Sequence, residues 1–201
     1  METILTMTIT DWFIFVLAIS PYAPLILGLV KQKDESQTFL TWILYLLLDC
    51  ITMFSSIEEG PHGFAMVFGF AIGSLIMSLI LFYQRRFARF SWVEVITLIL
   101  IIVCLIIWQI KGPYWALASG IASESIVGIY LIIRTFRDPV VEYNLSGYLG
   151  FLIVSILTIL TAKEFGLATV GFAISETILN IIILIPLLRK WNKIRGYYFY
   201  E

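Results

Sequence analysis

The sequence predicts an all-α integral membrane protein with seven transmembrane helices, and three observations support that class. Of the 201 residues, 60% are hydrophobic and only 13% are charged, whereas about 25% are charged in a typical soluble domain. The apolar residues form seven segments, each close to the roughly 20 residues that a helix needs to cross the hydrocarbon core. Basic residues collect on one side of this seven-span arrangement. Seven spans leave no room for a soluble catalytic domain, so we expect one membrane domain over residues 1–201.

Each apolar segment is expected to be helical, because backbone polar groups inside a bilayer must be satisfied without water. The predicted spans are Trp12–Val30, Phe39–Ile57, Gly63–Tyr83, Ser91–Ile110, Pro113–Ile133, Leu145–Ala162 and Gly166–Leu188. The first ten residues contain no Lys or Arg, unlike a cleavable signal peptide. The first segment is therefore interpreted as a retained span.

The distribution of basic residues predicts the orientation. One side carries eleven of the 13 Lys and Arg residues: Lys31, Lys33, Arg85, Arg86, Arg89, Arg134, Arg137, Arg189, Lys190, Lys193 and Arg195. The other side carries only Lys111 and Lys163. The positive-inside rule then places the N-terminus outside and the C-terminus in the cytoplasm. We expect a protein of the bacterial cytoplasmic, or inner, membrane.

All six tryptophans fall at the predicted span ends, where an indole is apolar on one side and wet on the other. Their positions are Trp12, Trp42, Trp92, Trp108, Trp115 and Trp191. Interfacial anchoring explains them all. Trp42 and Trp115 are additionally candidates to cap a cavity.

Two matches indicate an internal repeat. Gly69–Ser74 (GFAIGS) aligns with Gly171–Glu176 (GFAISE) at an offset of 102 residues. Leu25–Asp34 lies over Ile129–Asp138 at an offset of 104 residues, and both segments end in a basic residue followed by Asp. Because the offset spans four helices, both copies run in the same direction. The pattern predicts two parallel three-helix repeats.

The predicted plan is three helices, a linker helix and three helices. The first repeat covers residues 12–83, the linker 91–110, the second repeat 113–188 and a cytoplasmic tail 189–201. This plan resembles the SWEET and PQ-loop superfamily of small seven-helix transporters, as do Pro21 and Pro24 before a Lys-containing turn. The resemblance implies that Asn180 contacts a substrate. The chain departs from the superfamily in having no Pro-Gln dipeptide, and Ser78 stands at the position paired with Asn180.

Three acidic residues are predicted near the middle of spans, namely Asp49, Glu124 and Glu176. An ionisable group at that depth costs at least ~2.5–3.5 kcal/mol, so each is a functional candidate. No Lys or Arg lies near the middle of any predicted span. The acids are therefore expected to face a wet cavity, to bind a cationic ligand, or to be protonated and hydrogen-bonded to a neighbouring helix. Glu94 is only the fourth residue of its span and is expected to reach the interface.

These acids have polar neighbours at helical spacing. Glu176 and Asn180 are four residues apart and share one helix face, as do their repeat equivalents Ser74 and Ser78. In the repeat, Glu124 aligns with Ser20. We therefore predict a polar cavity between spans one, three, five and seven, with Asp49 joining it or bracing the bundle. These six residues are the candidate substrate-binding positions: Ser20, Ser74, Ser78, Glu124, Glu176 and Asn180.

Other chemistries have weak support in the sequence. His62 is the only histidine and follows Glu58 and Glu59, and a solvated turn is the expected environment. Cys50 and Cys104 are interpreted as apolar thiols, since no CxxC spacing occurs. No phosphate-binding loop, zinc-binding HExxH or nucleophile elbow is present. We therefore expect no enzyme, no cofactor and no metal site, and a net charge of −1 argues against nucleic acid as a partner.

The sequence thus favours a transporter or permease for a small polar or cationic solute. Glu124, Glu176 and Asp49 are the proton-coupling candidates, because a carboxylic acid can exchange a proton as its access to water changes. A receptor or scaffold of the same fold, which binds a ligand or partner without transport, is the alternative. Self-association into a homo-oligomer stays open, and the lipid bilayer is the one partner that the composition demands.

Overall fold

A computed structural model of the chain describes residues 6–32, 38–57, 61–87, 92–137 and 142–198. Within these ranges the protein is almost entirely helical and has no strand. The helices are α1 (Ile9–Ile19), α2 (Tyr22–Gln32), α3 (Phe39–Ser56), α4 (Pro61–Tyr83), α5 (Trp92–Lys111), α6 (Pro113–Arg137), α7 (Glu142–Thr161) and α8 (Phe172–Tyr198). With α1 and α2 taken as one, seven helices in the described ranges are long and apolar enough to cross a membrane. The predicted number of spans is confirmed.

The first span consists of two helices instead of one. α1 starts with a capping box, in which the Thr8 amide donates to Asp11 Oδ2 (2.8 Å) and the Asp11 amide donates to Thr8 Oγ1 (3.3 Å). It ends at Ile19, and α2 begins at Tyr22. Pro21 lies at the break, because proline has no N–H to donate and restricts the residue before it.

The other helices differ from the predicted spans mainly at their ends. α4 begins at Pro61, before the predicted Gly63, since proline suits the first helical position. A π-helical turn over Leu167–Gly171 precedes α8, where a continuous helix from Gly166 was predicted. α8 then contains Pro186 and continues to Tyr198, so most of the predicted tail is helical. Lys33, Glu58, Glu59, Arg89 and Glu201 lie outside the described residues.

The helices pack as a closed ring. In order around it, α1 and α2 pack on α4, α4 on α3, α3 on α6, α6 on α8, α8 on α7, and α7 on α1 and α2. α5 lies outside the ring against α3 and α6. This order leaves a space at the centre that every ring helix can line.

Two glycines of α4 set its distance from the first span. A Cβ on Gly69 would collide with the Ala18 side chain, and one on Gly73 would collide with the Tyr22 ring. The GxxxG spacing therefore permits close helix approach, as expected from such motifs. The partner of α4 in this crossing is the first span.

The two ends of the bundle differ. We call the end where α2, α4, α6 and α8 finish the basic end, and the opposite end the His62 end. Side chains from four helices form an apolar cluster toward the His62 end, each no more than 1% exposed: Ile14, Val67, Leu117 and Val154. This packing leaves the open space in the half of the bundle nearer the basic end.

Candidate functional site

The described helices enclose a cavity of about 470 Å³. Its lining runs from Glu124 and Glu176 near mid-span to Thr38 and Glu94 at the basic end. Neither α1 nor any residue of α4 before Phe70 lines it. The cavity therefore extends toward the basic end and is closed by packed helices toward the His62 end.

Two buried carboxyl groups face this cavity from α3 and α6. Asp49 is 6% exposed and Glu124 is 7% exposed, and both line the cavity. The Ser74 hydroxyl donates to Asp49 Oδ2 at 2.6 Å, and the Thr52 hydroxyl donates to Glu124 Oε1 at 2.9 Å. In each group the second carboxyl oxygen has no hydrogen-bond partner in the described part of the chain. That oxygen can accept a ligand or hold a proton.

The third carboxyl group comes from α8. Asn180 Nδ2 donates to Glu176 Oε2 at 3.1 Å and to the Glu176 carbonyl at 2.7 Å. The four-residue spacing thus gives the shared helix face that the sequence predicts. Asp49 interacts electrostatically with Glu176, and Glu124 interacts with both. The three predicted acids therefore form one cluster.

A hydrogen-bonded chain connects the first three spans beside this cluster. The Tyr22 hydroxyl donates to the Phe70 carbonyl at 3.2 Å and lies 3.3 Å from Ser74 Oγ. Ser74 in turn donates to Asp49. Asp49 therefore lines the cavity and also links α3 to α4 and α2, which satisfies both of the roles considered for it.

Aromatic side chains cover much of the remaining cavity wall. The ones that line it are Tyr22, Trp42, Tyr45, Phe70, Tyr130, Tyr148, Phe151 and Phe172. Their rings contact one another: Tyr22 lies 6.0 Å from Trp42 and 5.0 Å from Phe151 between centroids. Trp42 was predicted as a cavity candidate, whereas none of the tyrosines was. Trp42, Tyr45 and Asp49 are spaced as one helix face, and that spacing was the available signal.

Two predicted substrate-binding residues do not reach the cavity. Ser20 is exposed at the break between α1 and α2, where its hydroxyl donates to the Leu17 carbonyl at 2.8 Å. Ser78 is buried, and its hydroxyl donates to the Ser74 carbonyl at 2.8 Å. Alignment between repeats gives the depth of a side chain but not its direction. Trp115 is 56% exposed and also lies outside the cavity lining.

The expectation for Glu94 was wrong. This side chain is 7% exposed and lines the cavity near the basic end. The Thr41 hydroxyl donates to Glu94 Oε1 at 2.9 Å. α5 packs against α3 at this level, so Glu94 points into the bundle instead of toward the interface. It adds a fourth acid to the cavity wall.

The expectation for His62 was also wrong. His62 lies in the first turn of α4, where Nδ1 is 2.9 Å from Asp11 Oδ1 and Nε2 is 2.8 Å from the Thr158 carbonyl. The histidine therefore joins α1, α4 and α7 at the His62 end. Asp11 lies 51 residues before His62, and Thr158 lies 96 residues after it. No sequence pattern links positions so far apart, so only the tertiary structure shows these contacts.

Cys104 Sγ lies 3.2 Å from Ser123 Oγ. Cys50 and Cys104 are both free thiols. Among the described residues, no group of three or more His, Cys, Asp or Glu side chains is arranged to hold a metal ion.

Lys, Arg and His are absent from the described cavity lining. The arrangement is an acid-lined, aromatic-walled cavity. Comparison with protein-family models, characterised proteins and solved structures gives no match.

Proposed function

We propose that the protein is a small-molecule transporter whose substrate site is the central cavity. The observation that carries the proposal is a cavity between the two halves of the bundle, lined by three interacting carboxyl groups and closed by packed helices toward the His62 end. Ionisable residues inside a membrane are costly and commonly mark substrate or proton pathways. Binding sites in transporters built from repeats lie near the bilayer midplane at the repeat interface.

The ring order supports a duplication with parallel repeats. Within the first half the order is span one, three, two, and within the second half it is five, seven, six. Exchanging the halves leaves the ring unchanged, as a pseudo-twofold axis along the membrane normal requires. The matched glycines agree with this relation, because Gly69 lies on Ala18 of span one and Gly171 lies near Ile121 of span five. α5 serves as the linker helix. This is the 3+1+3 plan of the SWEET-like architecture.

The orientation belongs to the same proposal. Lys31, Arg85, Arg86 and Arg137 lie at the basic end, and the positive-inside rule assigns that end to the cytoplasm. The His62 end then faces outward, and the bacterial inner membrane is the expected location. In this orientation the cavity extends toward the cytoplasm and is closed by packed helices toward the exterior.

Proton linkage follows from the acid cluster. Asp49, Glu124 and Glu176 interact with one another, so their like charges oppose simultaneous ionisation and the cluster titrates as a unit. The other titratable groups lining the cavity are Glu94 and four phenols: Tyr22, Tyr45, Tyr130 and Tyr148. Phenols are ordinarily neutral at physiological pH. A change of access would then let the acids take up a proton on one side and release it on the other.

Flux into proteoliposomes tests the proposal. We expect at least one solute from a radiolabelled panel of amines, amino acids and sugars to accumulate under an imposed pH gradient. The triple variant Asp49→Asn, Glu124→Gln, Glu176→Gln should lower its initial rate about tenfold or more, the loss of roughly 1.4 kcal/mol of binding. The exposed-acid variant Glu164→Gln serves as the matched control. A solute that binds the purified protein but never crosses would contradict transport and favour the receptor or scaffold.

A further inference from the structure

The chemical composition of the cavity wall selects among solutes. Four acids line it, no basic side chain does so in the described part of the chain, and eight aromatic rings share the surface. An anionic solute would be repelled by these carboxyl groups when they are ionised. The negative faces of aromatic rings attract cations held within about 6 Å of the ring centroid. Acids and aromatic rings therefore favour the same sign of ligand charge.

The acids and rings lie close enough to act on one ligand. Trp42, Tyr45 and Asp49 share one face of α3, and all three line the cavity. The Trp42 and Tyr45 ring centroids are 5.9 Å apart. The Tyr22 ring lies beside Trp42, and its hydroxyl contacts the serine that bonds Asp49. A cationic group next to Asp49 would thus lie beside Tyr22 and Tyr45. Trp42 lies seven residues before Asp49, about 10 Å along α3, where it can contact the rest of the same ligand.

The cavity is poorly suited to a bare metal ion. Metal ions such as Ca²⁺ need six to eight oxygen ligands, and the described residues offer no such cluster. Phe70, Phe151 and Phe172 add apolar surface to the wall, which an organic group can contact. At about 30 Å³ per water molecule, a volume of 470 Å³ holds about fifteen waters. The space fits a compact organic molecule.

We propose that the cavity binds a small organic cation, with Asp49 and Glu124 supplying negative charge and Tyr22, Trp42 and Tyr45 supplying aromatic faces. This assignment rests on the proposed function in taking the cavity as the substrate site. The cation's apolar groups contact the phenylalanines, and its charge faces the unpaired carboxyl oxygens.

The charge requirement can be measured on the unmodified protein. Isothermal titration of the purified full chain in micelles compares choline with 3,3-dimethylbutan-1-ol, which has the same shape without the charge. We expect choline to bind about tenfold more tightly or better, since cation–π attraction and the carboxylates act together. Phenyltrimethylammonium should bind more tightly still, because its ring adds apolar area. Equal affinity for the charged and neutral isosteres, or binding of neither cation, would overturn the proposal.

The variants locate the binding. Trp42→Leu should weaken phenyltrimethylammonium binding about three- to tenfold, Trp42→Phe should weaken it less, and Asp49→Asn should weaken it about tenfold. The controls are Trp92→Leu, since Trp92 is 83% exposed, and Glu164→Gln, and both should bind like the unmodified protein. Equal losses in Trp42→Leu and Trp92→Leu would overturn the assignment to this cavity. Trp42→Phe keeps an aromatic ring at the site, so the contribution of this position can still be measured where Trp42→Leu does not fold.

Flux measurements separate this proposal from the proposed function. Cation binding with the expected selectivity but without flux would leave the organic-cation site standing and contradict transport. Flux of a neutral solute, with no preference for choline over its neutral isostere, would support transport and overturn the organic-cation site.

Discussion

Glu124→Gln and Glu176→Gln are expected to fold normally and to remove the pH dependence of uptake. Glutamine keeps the shape of the side chain and an oxygen that can accept the bonds from Thr52 and Asn180. It cannot titrate, so the cluster loses the group that exchanges a proton. For a cationic solute the unmodified protein should bind more weakly as pH falls, because protonation removes negative charge from the cavity. The variants should bind the cationic solute weakly at every pH, as the unmodified protein does when the acid is protonated.

The measurement is initial uptake, or binding of phenyltrimethylammonium, from about pH 5 to pH 8, the range in which pH switches usually act. Glu164→Gln, at an exposed position between α7 and the π-helical turn, should retain the pH dependence of the unmodified protein. An unchanged pH profile in both single variants and in the double variant would exclude these two acids as the coupling groups. Asp49 or simple facilitated diffusion would then remain.

Gly73→Ala is expected to lower the free energy of unfolding by about 1–3 kcal/mol, as overpacking does. At an exposed helix position the same change would be favourable by about 0.8–1 kcal/mol, so the expected sign is opposite to the intrinsic preference. The reason is the Tyr22 ring, which occupies the space of the new methyl group. That ring is itself held between Trp42 and Phe151 and has little room to move.

Chemical denaturation in micelles measures this effect. Gly166→Ala is the matched control, because its nearest atom would lie 3.6 Å from the new Cβ, and it should change the unfolding free energy by less than about 0.5 kcal/mol. The loss in the double variant Gly73→Ala, Tyr22→Leu should be smaller than the sum of the two single losses, as for coupled neighbours. Equal stability of Gly73→Ala and Gly166→Ala would contradict the close crossing of α4 and the first span.

The sequence predicts the number of spans because seven apolar segments each match the thickness of a bilayer. Their ends are less well predicted, because local signals compete there. Pro21 divides the first span into two helices, whereas Pro186 lies within α8 without ending it. Both prolines have the same intrinsic effect on a helix, so the surrounding packing decides the outcome.

The site was predicted in part. The depth of a residue along its helix can be read from the sequence, and Asp49, Glu124 and Glu176 line one cavity. Direction around the bundle depends on tertiary packing. Ser20 and Ser78, which were predicted to face the cavity, therefore do not line it, whereas Glu94, which was not, does. The contact of His62 with Asp11 joins α4 to α1, and no local pattern encodes it.

Transport through this cavity requires alternating access, and cysteine labelling measures that access. Ser74→Cys and Ser78→Cys are made separately in a chain carrying Cys50→Ala and Cys104→Ala, and oriented vesicles receive a membrane-impermeant thiol reagent on one side. Ser74 lines the cavity, whereas Ser78 is buried away from it. We expect Ser74→Cys to react from both sides, faster from the basic end, and Ser78→Cys to react from neither. Reaction of Ser74→Cys from one side only, at every pH, would contradict alternating access.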